Sequence, residues 1–304
     1  MADDARKGAS GGAPPAGRGS SEVGGLGGSG AGANAPISGE VAPELSPESI
    51  PSSPLVPRAD GTAIGVSFVR VTPKTPSDPR VVFGVKRSAA AGAFRRLRQQ
   101  LIDRGDPRTI VCTSANPGEG KTTLAANLAL SYAELGKPRV LLIDGSLRAA
   151  ALSRLFGFKP PIGFAAQLVR HRSSADERWV VVQLGTQPLF VLAADPHCCP
   201  QCATALPEDA RFCGRCGTTV GHVAADTLDA VGFRAAARRL RETFDYLIVD
   251  APSILGRGGL SQIQDPADAI VLAALKGKSR RRDLRRAAEE LAPRSIAAVA
   301  LLDE

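Results

Sequence analysis

Aromatic residues are scarce in this 304-residue chain, which has one Trp, two Tyr and ten Phe. No run approaches the roughly 18 apolar residues of a membrane span, so a transmembrane helix is not expected. A secretory leader needs an apolar core behind its early positive charge. Gly8 to Gly32 has none, and the reading at this point is a cytoplasmic protein. Residues 1–60 are dense in Gly, Ser, Ala and Pro and carry few aromatic or branched apolar side chains. Such a segment cannot bury enough surface to offset its ordering entropy, so it is expected to be a disordered tail.

What the sequence does have is concentrated around Thr109 to Thr123, TIVCTSANPGEGKTT. A β-branched, apolar run (Thr109 to Thr113) breaks into a glycine-bearing loop that ends in Gly120-Lys121-Thr122, and Leu124 to Leu135 follows with helical apolar spacing. Strand, loop and helix in this order form a phosphate-binding loop. Its backbone N–H groups make an anion nest at the positive end of the helix dipole. Pro117, Gly118, Glu119, Gly120, Lys121, Thr122 and Thr123 are the candidate ATP-binding residues, with Lys121 on the β- and γ-phosphates and the Thr122 hydroxyl on Mg²⁺. The pattern departs from the usual one at Ala115, where a glycine is customary.

Two further apolar runs end in carboxylates: Arg139 to Asp144 (RVLLID) and Tyr246 to Asp250 (YLIVD). Continuous apolar runs suit parallel strands buried on both faces. The carboxyl ends of such strands share one edge of the sheet, where ligands bind. Asp144 and Asp250 are therefore expected beside the phosphates, forming with Thr122 the oxygen set of a Mg²⁺ site. Lys121, Asp144 and Asp250 are the candidate catalytic residues.

The order Ser114 to Thr122 (SANPGEGKT), Leu141 to Arg148 (LLIDGSLR) and Phe244 to Pro252 (FDYLIVDAP) resembles the cytoplasmic domain of bacterial tyrosine kinases. These are the ATPases partnered with polysaccharide co-polymerases, inside the wider MinD/ParA-like group. The resemblance covers about Ala93 to Leu302 and is interrupted once. It implies an α/β fold, a doubly wound, mostly parallel P-loop NTPase sheet spanning residues 88–304. Residues 61–87 are expected to be an extended linker with an edge hairpin made from Ile64 to Val71 and Val81 to Val85.

The chain departs from the family in two places. Ser88 to Leu101 reads as a helix on which Arg95 and Arg98 match the two arginines of a family motif that joins subunits into a ring. Gly92 stands where that motif has glutamate, which removes half of the intersubunit ion pair. After Asp144 the family shows a second acid and an arginine; here Arg148 is kept and the acid is Ser146. That loss bears on phosphoryl transfer more than on nucleotide binding, since Lys121, Thr122, Asp144 and Asp250 supply most of the binding.

The interruption, residues 197–220, has no counterpart in the family. It reads Cys199-Pro-Gln-Cys202, ten residues, then Cys213-Gly-Arg-Cys216. Two such pairs at this separation are the four-thiolate set of a zinc ribbon. Four protein ligands leave the metal no open position, so the expected Zn²⁺ site is structural. Cys198 is an adjacent fifth thiol without the two-residue gap, and Cys112 belongs to the strand before the phosphate loop. The ribbon reads equally as a partner-binding or nucleic-acid-binding module and as a fold-stabilising insert.

Trp179 to Leu184, Leu189 to Ala193, Asp268 to Leu275 and Ser295 to Leu302 are the remaining strands, with helices at Asp226 to Arg241 and Arg280 to Leu291. Lys276 to Arg286 holds seven basic side chains against Asp283 alone, most of the formal charge of +8. Anionic headgroups, nucleic acid, an acidic partner or plain solvent could face it. No aromatics are interleaved, so base stacking is not indicated and nucleic acid is the weaker choice.

Two function classes follow. One is an ATP-binding regulator of exopolysaccharide assembly acting through a membrane-bound co-polymerase, as a homo-oligomer placed peripherally at the inner face of the plasma membrane. The other is a MinD/ParA-like ATPase whose nucleotide state controls binding to a membrane surface or DNA. Weak or absent tyrosine autokinase activity is expected. The resembled kinases phosphorylate a tyrosine cluster on a C-terminal tail, whereas this sequence ends at Glu304 and offers only Tyr132 and Tyr246, both within predicted elements.

Overall fold

Apolar alternation inside otherwise continuous runs sets the layers of this chain. In β2 (Thr109–Ser114), Ile110 and Cys112 enter one buried cluster while Val111 enters the other, so a single strand feeds a core on each face of the sheet. The computed structural model describes residues 65–71, 81, 88–147, 151–173, 177–195, 199, 202, 204, 206–207, 210–219, 230–256 and 265–303. All of them belong to the unit spanning Val41–Glu304. The expected disordered tail, the proline-rich stretch Pro73 to Pro79, Val82 to Val85, Arg148 and Cys198 lie outside the described residues.

In chain order the elements are β1 (Val66–Val71), α1 (Ala89–Asp103), β2, α2 (Lys121–Ala133), β3 (Val140–Asp144), α3 (Ala151–Phe156), α4 (Phe164–Ser173), β4 (Trp179–Leu184) and β5 (Leu189–Leu192). They continue with α5 (Ala230–Leu240), β6 (Tyr246–Asp250), β7 (Ala269–Leu275), α6 (Arg281–Leu291) and β8 (Ile296–Leu302). The strands form one sheet in the order β1-β4-β5-β3-β6-β2-β7-β8. From β5 to β8 the neighbours run parallel; β4 meets β5 antiparallel, and β1 follows β4 in parallel. The sheet is thus mostly parallel and doubly wound. The chain leaves β2 toward β3 on one side and reaches β7 on the other, which makes the carboxyl end of β2 the topological switch point where ligands bind.

Helix α1 is capped by Ser88, whose hydroxyl accepts from Ala91 N at 3.0 Å, and it buries Ala91, Phe94 and Leu101. Helix α2 buries nine of its thirteen residues, including Leu124, Leu128 and Tyr132, so this short helix lies inside the fold rather than on it. On the opposite face Phe164, Trp179, Phe233 and Leu240 close the second core.

Half of the expected edge hairpin, Val82 to Val85, lies outside the described residues. β1 is an edge strand, but among the described residues it pairs only with β4, in parallel, from Val66 beside Trp179 to Val71 beside Leu184. Its partner comes from more than a hundred residues downstream. Val180, Val181 and Val182 of β4 are buried in this pairing.

The α1 arginines are engaged within the chain. Arg95 grips Glu134 at the end of α2 with contacts of 2.7 and 2.5 Å, and Arg98 donates to the Ser131 carbonyl. No helix among the described residues is long and apolar enough to cross a membrane.

Candidate nucleotide site and cysteine cluster

The loop between β2 and α2 is held open by glycine and braced by glutamate. Gly118 (φ +75°) and Gly120 (φ +86°) both take left-handed conformations, which side chains with a Cβ rarely adopt. A Cβ on Gly120 would also collide with Leu302 Cδ1 at the end of β8. Glu119 is buried, and its carboxylate accepts from Asn116 N at 2.7 Å and lies 3.4 Å from Asn116 Nδ2. The sequence reading groups Glu119 with the phosphate-binding residues. Its side chain is turned back onto the loop, so only its backbone N–H is left for an anion.

Beneath the loop the two acids are brought together. β3 and β6 are neighbours in register, with Asp144 directly opposite Asp250, and both side chains are fully buried. The Thr122 hydroxyl, in the first turn of α2, donates to Asp250 Oδ2 at 2.7 Å. Asp250 Oδ1 is buried without a hydrogen-bond partner among the described residues. Asp144 is more fully tied down: Ser146 N and Leu152 N reach its two oxygens at 3.3 and 3.4 Å. Burial, together with the charge of Asp250, pushes Asp144 up to about 7. Burial pushes Asp250 up to about 6, while the Lys121 ammonium and the Thr122 hydroxyl pull the other way.

An orphaned carboxylate oxygen in a dry site is costly unless a proton or a cation satisfies it. Two acids and a hydroxyl at the mouth of a phosphate loop match what Mg²⁺ takes: a few hard oxygens, with waters completing the shell. The residues present therefore fit Mg²⁺ and a nucleoside triphosphate. Lys121 is close enough to Asp250 to stabilise its charge and stands at the start of α2, where phosphate would lie against the helix N-terminus. Bound there, Mg²⁺ would neutralise charge on the β- and γ-phosphates.

Two neighbours of this site were not singled out in the sequence. Lys278, on the turn after β7, donates from Nζ to the Gly118 carbonyl at 3.0 Å. Asp283 of α6 accepts from Asn116 Nδ2 at 3.2 Å. Both belong to the basic stretch, which composition alone presents as a surface feature.

The four ribbon cysteines converge. The sulfurs of Cys199, Cys202, Cys213 and Cys216 all lie within 4.8 Å of one another. Cys199 and Cys216 are 3.6 Å apart and Cys202 and Cys213 are 3.5 Å apart. A disulfide needs about 2.05 Å. Tetrahedral Zn²⁺ with bonds of about 2.3 Å spaces its sulfurs by about 3.8 Å, so the donor set fits that ion. The two halves repeat one construction. Cys199 N donates to Thr204 O and Cys213 N to Thr218 O, each at 2.8 Å, while Thr204 and Thr218 hydroxyls sit 3.2 and 3.1 Å from Cys202 and Cys216 sulfur. The Thr204 contact draws the Cys202 thiol down to about 6, and Thr218 lowers Cys216. The repeated Cys-x-x-Cys-x-Thr in the sequence is the signal that would have found these threonines. Cys112 stands apart: buried in register with Asp250, it is pushed well above the usual thiol range by burial and by that acid.

Comparison with known proteins finds similar proteins for the sheet and for the ribbon. The zinc-ribbon domain family matches residues 199–220. The tyrosine-protein kinase YwqD of Bacillus subtilis is 28% identical over 210 residues, covering 68% of this chain and 77% of that protein. The chain is similar to the bacterial tyrosine kinases. The kinase domain of the Escherichia coli tyrosine kinase ETK shares the fold, with a TM-score of 0.57 at 19% identity, over 79% of this chain and 90% of that one. The succinoglycan biosynthesis transport protein ExoP of Rhizobium meliloti is 35% identical over 97 residues, which is 31% of this chain and 12% of ExoP.

Proposed function

We propose that this protein binds ATP and Mg²⁺ at the phosphate loop and acts as an ATP-dependent regulator of exopolysaccharide assembly, with weak or absent tyrosine autokinase activity. The observation that carries the reading is the Thr122 hydroxyl on Asp250 at 2.7 Å, with Asp144 in register beside it, under a loop whose glycines hold its backbone open. Lys121, Thr122, Asp144 and Asp250 would hold the nucleotide and metal. Kinship with kinases and with an exopolysaccharide transport protein supports the regulatory role. Its partner would be a membrane-bound polysaccharide co-polymerase, which places the protein peripherally at the cytoplasmic membrane face. Gly92 carries no carboxylate and Arg95 and Arg98 are bonded to α2, so the proposal does not include a ring built on that helix.

Both tyrosines support weak autophosphorylation. Tyr132 is buried against Tyr246 with ring centroids 4.4 Å apart, and the Tyr246 hydroxyl donates to Asp106 at 2.7 Å. Ser146 supplies no acid beside the metal site. In the ribbon, Cys199, Cys202, Cys213 and Cys216 would hold a structural Zn²⁺. A second reading, a MinD/ParA-like switch controlling a surface, is favoured by the contacts that the basic stretch makes with the loop through Lys278 and Asp283. Mass spectrometry after incubation with ATP and Mg²⁺ tests the proposal. It should report bound nucleotide and little phosphotyrosine; robust phosphotyrosine on the wild type, lost in Lys121→Ala, would overturn the autokinase part. ATP-dependent, salt-sensitive binding to DNA or anionic vesicles would favour the second reading.

A further inference from the structure

The phosphate loop contributes one lysine, Lys121. A second ammonium nevertheless lies at the loop, from the other end of the sequence. Lys278 follows Gly277, whose left-handed φ of +76° turns the chain out of β7. That turn is closed by Lys278 N and Ser279 N donating to the Leu275 carbonyl, at 3.1 and 2.9 Å, and by Leu275 N donating to the Ser279 hydroxyl at 2.8 Å. The backbone carrying Lys278 is therefore fixed, and its side chain reaches Gly118 O. An ideal Cβ on Gly118 would lie 2.6 Å from Nζ, so the ammonium sits directly against this residue of the loop. A second tie, Asn116 Nδ2 to Asp283, holds the start of α6 to the same loop.

We infer that Lys278 is a second phosphate-binding cation of the nucleotide site, supplied in cis by the turn after β7. This rests on the ATP-binding reading above. An ammonium has three donors, and Gly118 O takes one among the described residues. The others are available to oxygens of a polyphosphate seated on the loop's N–H groups. A triphosphate carries more charge than Lys121 and one Mg²⁺ neutralise, so a further cation at the rim adds attraction that grows with the number of phosphates. The basic stretch is thereby divided in role. Lys278 serves the nucleotide, whereas Lys276 is paired with Asp303 at 3.0 Å and does not.

Calorimetric titration of the full chain with ATP, ADP and AMP in the presence of Mg²⁺ tests this. Lys278→Ala should weaken ATP about tenfold, ADP less and AMP least, with a shallower salt dependence of ATP binding than the wild type. Lys278→Arg should keep most of the affinity, and Lys276→Ala should match the wild type. An equal proportional loss for all three nucleotides would make Lys278 a brace of the loop and overturn the inference, as would unchanged ATP affinity in Lys278→Ala. A wild-type chain that binds no ATP would remove the ATP-binding reading itself, and this inference with it.

Discussion

Asp250 works under opposed demands. In the proposed role of Mg²⁺ ligand it should be ionised, yet burial raises it to about 6, and one of its oxygens has no partner among the described residues. Its folded-state value lies above its unfolded one, so ionisation destabilises the fold: the stabilising effect of the proton is complete below about pH 4 and is lost as pH rises through about 6. Asp250→Asn removes that cost and relieves the charge on Asp144. It should raise Tm by roughly 2–6 °C at pH 8, with a smaller gain at pH 5, while Mg²⁺-dependent ATP binding is lost. Scanning calorimetry at both pH values, with nucleotide titration, measures this. A loss of stability at pH 8 would contradict it. His171 offers a second pH effect of opposite sign. It stacks on Trp179 at 3.8 Å and 15°, and burial, with Arg239 nearby, lowers it to about 4. A folded value below the unfolded 6.5 gives stability that is present above pH 6.5 and lost as pH falls toward 4. His171→Phe keeps a stacking ring and should flatten the decline in urea midpoint between pH 7 and 5.

At the scale of elements, the cysteine cluster and the sheet should separate under a chelator. Among the described residues the module's buried cluster is Cys199, Leu206 and Cys213, and the folding of so small a module is expected to be coupled to metal. Excess chelator should release about one zinc per chain and increase amide exchange at residues 199–219. The sheet should keep its circular dichroism, because its two cores do not include the ribbon. Protein purified without chelator and holding no zinc would contradict this. The elements themselves were legible where chemistry is local. The strand, loop and helix around Lys121, the apolar runs ending in Asp144 and Asp250, and the two cysteine pairs each follow from short patterns. What was hidden depends on distant pairings. The alignment of β1 with β4, the fold-back of Glu119 onto Asn116 and the reach of Lys278 to Gly118 across 160 residues are set by tertiary packing, which neither periodicity nor composition encodes.

At the scale of the whole molecule, one sheet edge gathers the carboxyl ends of β2, β3, β6 and β7, and four dispersed segments meet there. The account stands on that edge being an ATP–Mg²⁺ site. The direct test is equilibrium binding of ATP with Mg²⁺ to the wild type and to Lys121→Ala, with thermal unfolding recorded to show that the variant is folded. The wild type should bind, and the variant should lose at least a hundredfold in affinity, about 2.7 kcal/mol or more by the usual conversion. Unchanged affinity in a folded Lys121→Ala chain would contradict it.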